Sequence, residues 1–472
     1  MTKIQVFLTA IFLCLLPPSM LFAQDTGLVD GTGVTAHIVH EQGTWTVTYH
    51  FDRPQKAMFF NRYTGGYRER FWTSLSSGVE IRNIGGFDTI LLDTPSTTAS
   101  FDITAYTTIN IPDANPFIPF TDGGLTLFTG QFDLLPALDA ADVADLQGDL
   151  FRWQGKQPTL GVTFTSDEPV IMEGALIDGT AVHVTFGGGT HIYTGLGRIE
   201  EGNSFVGVID SALPEWLREN LDEEVTAIFA EHEKRWGFEL EQRATLLIAF
   251  DGYGASGYRN SGSAFGNTLM LQIAGDALRN EDADIMDSMR WFFAHEAAHL
   301  YQLTAGLEIL SGDSTWMMEG SANAMANQIV ASLDGNAVNL AETYDRALTE
   351  CDAYLQDGPL EGAGKRDAEL AYYECGDLVA IITASLLPDH NLHGFLKELA
   401  LDRREGSTGS WQYFSTMHRL GADPDAIISL ADIVYKKLSD PRQAYIDALN
   451  EARLYPLVSG DGRIVSINIP LE

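Results

Sequence analysis

The sequence predicts a multidomain chain: an N-terminal all-β domain, then an α+β domain, then a C-terminal helical lobe. Three observations carry this expectation. From about Gly33 to Val208, apolar and polar residues alternate in short runs broken by Gly, Asp, Asn and Pro, the period of strands. Beyond Ser211 apolar residues recur mostly at helical spacing. A length of 472 residues also exceeds what one core holds, at about 100 to 200 residues per domain.

The chain opens Met1-Thr2-Lys3, continues apolar from Ile4 to Leu16, and reaches Leu21-Phe22-Ala23 before Gln24. This pattern reads as a secretory signal peptide, 1–23. Its apolar core is shorter than the roughly 20 residues of a spanning helix, and no later charge-free segment approaches that length. A periplasmic or secreted protein without stable membrane insertion is expected. Cys14 follows Leu13, where a lipidation signal would place a small residue, so no lipid anchor is expected.

The β-rich domain is expected over 24–208, with strands such as Trp45 to His50, Ser100 to Ile111, Leu160 to Phe164 and Val182 to Phe186. His183 and His191 stand there in Gly-rich surroundings without nearby acids and read as surface histidines. A second domain, 209–336, opens with an amphipathic helix from Leu213 to Trp236 and a buried strand at Ala244 to Phe250. Asp251 to Asn267, rich in Gly, Ser and Tyr, reads as a mobile loop before the short strand Thr268 to Gln272. Two helices follow, one from Asp282 to Thr304 ended by Gly306 and one from about Ser314 to Leu333 ended by Gly335. The helical period continues through a lobe at 337–472, and Arg463 to Ile469 closes as a strand.

Acidic residues outnumber basic ones 65 to 29, a formal charge of −36. Such a surface repels phosphate backbones and anionic membranes, so nucleic acid is excluded as a partner. The acidity itself reads as a solubility device before it reads as steering of basic substrates.

The chemistry is concentrated in His295-Glu296-Ala297-Ala298-His299. A helical turn of about 3.6 residues sets the two histidines on one face with imidazoles converging, the spacing a tetrahedral zinc ion needs. Glu296 projects beside that position, where it can take a proton from water. Nineteen residues separate His299 from Glu319, which lies within Trp316-Met317-Met318-Glu319-Gly320-Ser321-Ala322 on the next helix and supplies a third ligand.

On these residues the chain resembles the gluzincin zinc metallopeptidases, which pair His-Glu-x-x-His with a Glu after a similar interval, often as Trp-x-x-Glu-Gly-x-Ala. The resemblance is closest to the aminopeptidase-N and glycyl-aminopeptidase branch. There a Tyr in Tyr-Glu-Lys-Gly steadies the oxyanion, and this chain has Tyr373-Glu374-Cys375-Gly376. The resemblance implies a thermolysin-like catalytic domain at 209–336 and a lobe carrying the catalytic Tyr373. It further implies Zn2+ on His295, His299 and Glu319, Glu296 as general base, and a peptide or protein substrate lying extended along Thr268 to Gln272. Asn323, four residues after Glu319, is a candidate to support the ligands from behind.

Two departures stand out. The branch's Gly-x-Met-Glu-Asn segment, whose Glu holds a substrate's free amine, is replaced by Gly266-Asn267-Thr268-Leu269-Met270, which leaves endopeptidase and aminopeptidase specificity both open. The lysine of Tyr-Glu-Lys-Gly is replaced by Cys375. The alternative function is a catalytically inactive gluzincin-fold protein that keeps zinc and acts as a binding module; retention of Glu296 and Tyr373 argues against it. After removal of the leader only Cys351 and Cys375 remain, and export places them in an oxidising compartment, so a disulfide between them is expected.

Overall fold

The computed structural model describes residues 33–470 except 63, 106–114, 157, 186–187, 308–311, 334–338, 388–390 and 405–408; the expected leader and Gly335 fall outside the described residues. The chain forms two compact units. One comprises the described residues up to Pro214 with Gln242–Arg279, the other Glu215–Glu241 with Asn280–Glu472.

The first unit begins with a hairpin of β1 (Val34–Glu41) and β2 (Thr44–Phe60). Gln42 and Gly43 between them both have positive φ, 51° and 75°, the backbone hand that a two-residue hairpin turn requires. Alternation decides the faces: Val34, Ala36 and Ile38 on β1 and Trp45, Val47, Tyr49 and Phe51 on β2 are buried. With β3 (Phe87–Ile103), β4 (Leu160–Ser166) and β5 (Thr180–Thr185) these strands form a sheet ordered β5-β4-β1-β2-β3, in which β4 runs parallel to β1. Its core is aromatic, with Tyr49, Phe60, Phe101, Phe132 and Phe164 buried.

His191 departs from expectation. It lies on the strand His191–Thr194, is 2% exposed, and packs its ring near Phe128 and Phe265. Burial, with the Arg62 charge beside it, pushes its imidazole down to about 3, so it is neutral. The neighbouring glycines reflect close packing rather than exposure: a Cβ on Gly189 would meet the backbone nitrogen of Gly130 at 2.5 Å. The side chain of His183 lies outside the described residues.

A second sheet in this unit is ordered β6-β7-β8-β10-β9, from β6 (Ile199–Glu201), β7 (Phe205–Ile209), β8 (Ala244–Phe250), β9 (Arg259–Phe265) and β10 (Thr268–Ala274). Every residue of β7 and β8 is buried, as in a parallel pair covered on both faces. The segment expected to be a mobile loop therefore contains a strand. The residues of β9 have low strand propensity, but its antiparallel register with β10, from Arg259↔Ala274 to Phe265↔Thr268, supplies the pairing. Gly266, at φ 59°, and Asn267, whose Nδ2 donates to the Arg243 carbonyl at 2.9 Å, close that hairpin. This also corrects the expected substrate track. β10 has a paired neighbour on each side, so Thr268 to Gln272 have no free edge; the edges of this sheet are β6 and β9.

The second unit is helical: α1 (Glu215–Trp236), α2 (Ala283–Ala305), α3 (Trp316–Leu333), α4 (Leu340–Leu355), α5 (Leu370–Leu386), α6 (Leu392–Arg404), α7 (Trp411–Arg419), α8 (Pro424–Tyr435) and α9 (Pro441–Glu451). Asp282 caps α2 by accepting from the Asp284 and Ile285 N–H groups, and Gly306, at φ 89°, ends it in the left-handed conformation. α1 braces α2 through an Arg290–Glu224 ion pair, whose Nε contact is 2.7 Å, and through His232 Nε2 against the Ala294 carbonyl at 2.9 Å. At the chain end the expected strand is shorter, Ile464–Ser466 paired with Leu457–Val458. Among the described residues no helix is long and apolar enough to cross a membrane.

α3 is buried almost throughout because small residues, Gly320, Ser321, Ala322, Ala324 and Ala326, let its neighbours approach. The closest approach is to α5: a Cβ on Gly320 would lie 2.1 Å from the Gly376 carbonyl carbon, and one on Gly376 would lie 2.6 Å from the Trp316 oxygen. Gly376→Ala is expected to destabilise by about 1–3 kcal/mol through overpacking, measured by urea unfolding; a change near zero would show that the crossing can spread without cost.

The expected disulfide is present. Cys351 of α4 is bonded to Cys375 of α5 with Cα atoms 5.1 Å apart, across 24 residues of chain. A loop of that size predicts about 3 kcal/mol of stabilisation. Cys351→Ser/Cys375→Ser should lower the melting temperature accordingly, and an unchanged melting temperature would contradict this.

Candidate metal centre

His295 and His299 stand one turn apart on α2, and Glu319 lies in the first turn of α3. The antiparallel packing of these helices brings the three side chains together: His295 Nε2 is 3.1 Å from His299 Nε2 and 3.4 Å from Glu319 Oε2, and His299 Nε2 is 3.2 Å from that same oxygen. His295 is 5% and Glu319 4% exposed, so the donors are largely removed from water. No other group of three or more His, Cys, Asp or Glu side chains is gathered in this way among the described residues.

The donor set fits zinc. Bonds of about 2.0–2.1 Å at tetrahedral angles place ligand atoms about 3.3 Å apart, and the three observed separations bracket that value. Two imidazoles and a carboxylate form one face of a tetrahedron and leave the fourth corner open, the pattern of a catalytic rather than a structural site. The electrostatics point the same way. Burial alone would lower the His299 imidazole, but the adjacent Glu319 carboxylate, with Glu296 and Gln302 assisting, holds it up at about 9. Burial alone would raise Glu319, but His299 and His295 hold it well below the usual carboxylate range. The pocket is built around a positive charge, which in the metal-free chain is a proton.

Gln302, which the sequence did not single out, fixes the tautomer of His299. Its Nε2 donates to the Met318 carbonyl at 3.1 Å and to Ser321 Oγ at 2.8 Å, which leaves its Oε1 facing His299 Nδ1 at 2.8 Å. Nδ1 must then keep its hydrogen, so the proton that His299 gives up to a metal leaves Nε2, whose lone pair faces the site. The signal was available: Gln302 lies three residues after His299, on the same helical face. Gln302→Leu should weaken zinc binding by about 10- to 100-fold, measured by competition with a chelator. Unchanged affinity would remove Gln302 from the account.

Glu296 is 9% exposed on α2, and its charge acts on both His299 and Tyr373. Tyr373, on α5, places its ring 6.0 Å from that of His295, close enough to Glu319 for that carboxylate to act on its hydroxyl. Burial, then the charges of Glu319 and Glu296, pushes its phenol well above the usual range, so it stays protonated. Tyr372 is engaged elsewhere, its hydroxyl accepting from the Gly364 N–H at 2.9 Å. Asn323 is buried one turn beyond Glu319, and its Oδ1 has no hydrogen-bond partner among the described residues. The structure thus gathers all five sequence-predicted site residues within one unit.

No family profile matches the sequence, and no curated protein matches it. Solved structures do match in fold. An aminopeptidase N family protein from Idiomarina loihiensis superposes with a TM-score of 0.61 at 13% identity, over 88% of this chain and 78% of that one. Native yeast LTA4 hydrolase superposes with a TM-score of 0.53 at 14% identity, over 89% and 70%. With a sheet-rich N-terminal part and a helical C-terminal part, this chain shares its fold with these two structures.

Proposed function

We propose that this chain is an exported zinc-dependent peptidase that hydrolyses peptide bonds in a peptide or protein substrate. The observation that carries the proposal is the tetrahedral face of His295, His299 and Glu319 with Glu296 and Tyr373 beside it. The buried disulfide, a bond that persists in oxidising compartments, supports the periplasm or the exterior as its place.

Zinc held by those three residues supplies Lewis acidity, polarising the scissile carbonyl and acidifying water. Glu296 removes a proton from that water as it attacks and returns it to the leaving amine. Tyr373, protonated, donates its hydroxyl hydrogen to the oxygen that gains negative charge. Gln302 keeps the His299 lone pair directed into the site. On this reading 209–336 is the catalytic core and 337–472 the lobe that brings Tyr373 to it.

A mass-spectrometric profile of cleavages in a peptide library tests the proposal. Products that accumulate with the wild type and disappear with Glu296→Gln support it. A wild type that cuts nothing, or a variant that cuts equally, overturns it. Tyr373→Phe should retain zinc and fold but lower kcat by about 10²-fold or more; an unchanged kcat would move the oxyanion donor elsewhere.

A further inference from the structure

The two histidines are oriented by different means. His299 has Gln302 at its Nδ1, whereas the Nδ1 of His295 is buried without a hydrogen-bond partner among the described residues. Instead, two aromatic rings lie nearly parallel to the His295 ring: Trp291 at 5.4 Å with planes at 24°, and Tyr373 at 6.0 Å and 25°. Trp291 is itself held. Its indole N–H donates to Asn327 Oδ1 at 2.7 Å, and Asn327 Nδ2 donates to Asp377 Oδ2 at 2.8 Å.

We propose that Trp291, clamped through Asn327 to Asp377, is the positioning residue that sets the plane of the His295 imidazole; the proposal rests on the zinc reading above. Chemistry fixes the direction of the clamp. An indole N–H is a donor only, so the amide must turn its oxygen toward Trp291 and its nitrogen toward Asp377. Asn327 and Asp377 are each 2% exposed, so water does not compete for these bonds, and swinging the indole off the imidazole would leave a buried amide oxygen unpaired.

The clamp also crosses the helices that matter. Trp291 stands one turn before His295 on α2, Asn327 two turns after Glu319 on α3, and Asp377 one turn after Tyr373 on α5. One chain of hydrogen bonds therefore registers the helix of the two histidines, the helix of the carboxylate ligand and the helix of the oxyanion donor. A ligand without its own hydrogen bond at Nδ1 has its ring direction set by this stack.

The test compares the mature chain with Trp291→Phe, Asn327→Leu and Asp377→Asn. Three quantities are read: zinc affinity by chelator competition, the visible absorption of the cobalt(II)-substituted protein, which reports ligand geometry, and the melting temperature. Trp291→Phe and Asn327→Leu should weaken zinc by about 10- to 100-fold and shift the cobalt bands while circular dichroism is unchanged. Asp377→Asn, whose side-chain oxygen still accepts from Asn327, should stay close to wild type. Should Asn327→Leu fail to fold, Asn327→Leu/Asp377→Leu, which leaves no buried carboxyl without its partner, takes its place beside Trp291→Phe. Zinc affinity and cobalt spectra unchanged in these variants, or a fall in melting temperature alone, overturns the clamp while leaving the zinc site standing. A wild type that binds no zinc overturns the zinc reading and the clamp with it.

Discussion

Glu296→Gln is expected to bind zinc as the wild type does and to lose about 10²- to 10⁴-fold in kcat, the span that a positioned general base contributes. The substitution keeps size and polarity but removes the ability to accept a proton. The three ligand side chains are untouched, and the pocket is already largely closed to water at 9% exposure of Glu296, so the fold should tolerate it. Loss of kcat with zinc retained identifies the base. Loss of both would make Glu296 part of metal binding, and loss of neither would place the base elsewhere.

Glu319→Ala is expected to weaken zinc by more than the 10- to 100-fold or so that loss of an outer partner costs, because it removes one of three ligands. It should also change how binding depends on pH. In the metal-free wild type, Glu319 helps hold the His299 imidazole up at about 9. Below that pH zinc must displace a proton, so apparent affinity should rise with pH up to about 9 and then level off. Without the carboxylate, only Glu296 and Gln302 oppose the burial that lowers the His299 imidazole, and the plateau should begin at lower pH. Isothermal titration in buffers of different protonation enthalpy measures both the affinity and the proton released. Full affinity in Glu319→Ala, or a wild-type affinity flat between pH 6 and 9, would contradict the assignment.

What could be read in advance was local or carried by short motifs. His295, Glu296 and His299 are visible because a helix brings i and i+4 together, and α2 announces its ends at Asp282 and Gly306. Glu319 and Tyr373 are legible through the residues around them, and the Cys351–Cys375 bond through their being the two cysteines outside the expected leader. The missed features depend on pairing between segments. β9 has the composition of a loop and becomes a strand because β10 pairs with it, although Gly266-Asn267 was a hairpin signal in plain view. The same pairing takes the edge from Thr268–Gln272 and gives it to Arg259–Phe265. The glycine neighbours of His191 suggest a surface position in the sequence, but in the fold they permit close backbone contact. The Trp291–Asn327–Asp377 chain joins residues 36 and 50 positions apart, a separation at which helical periodicity carries no information.

Zinc-edge X-ray absorption of the purified protein shows directly whether His295, His299 and Glu319 hold zinc. About one zinc per chain is expected, with only nitrogen and oxygen neighbours at about 2.0–2.2 Å and the outer-ring scattering of two imidazoles. Protein without zinc, or zinc with sulfur neighbours at about 2.3 Å, would contradict it.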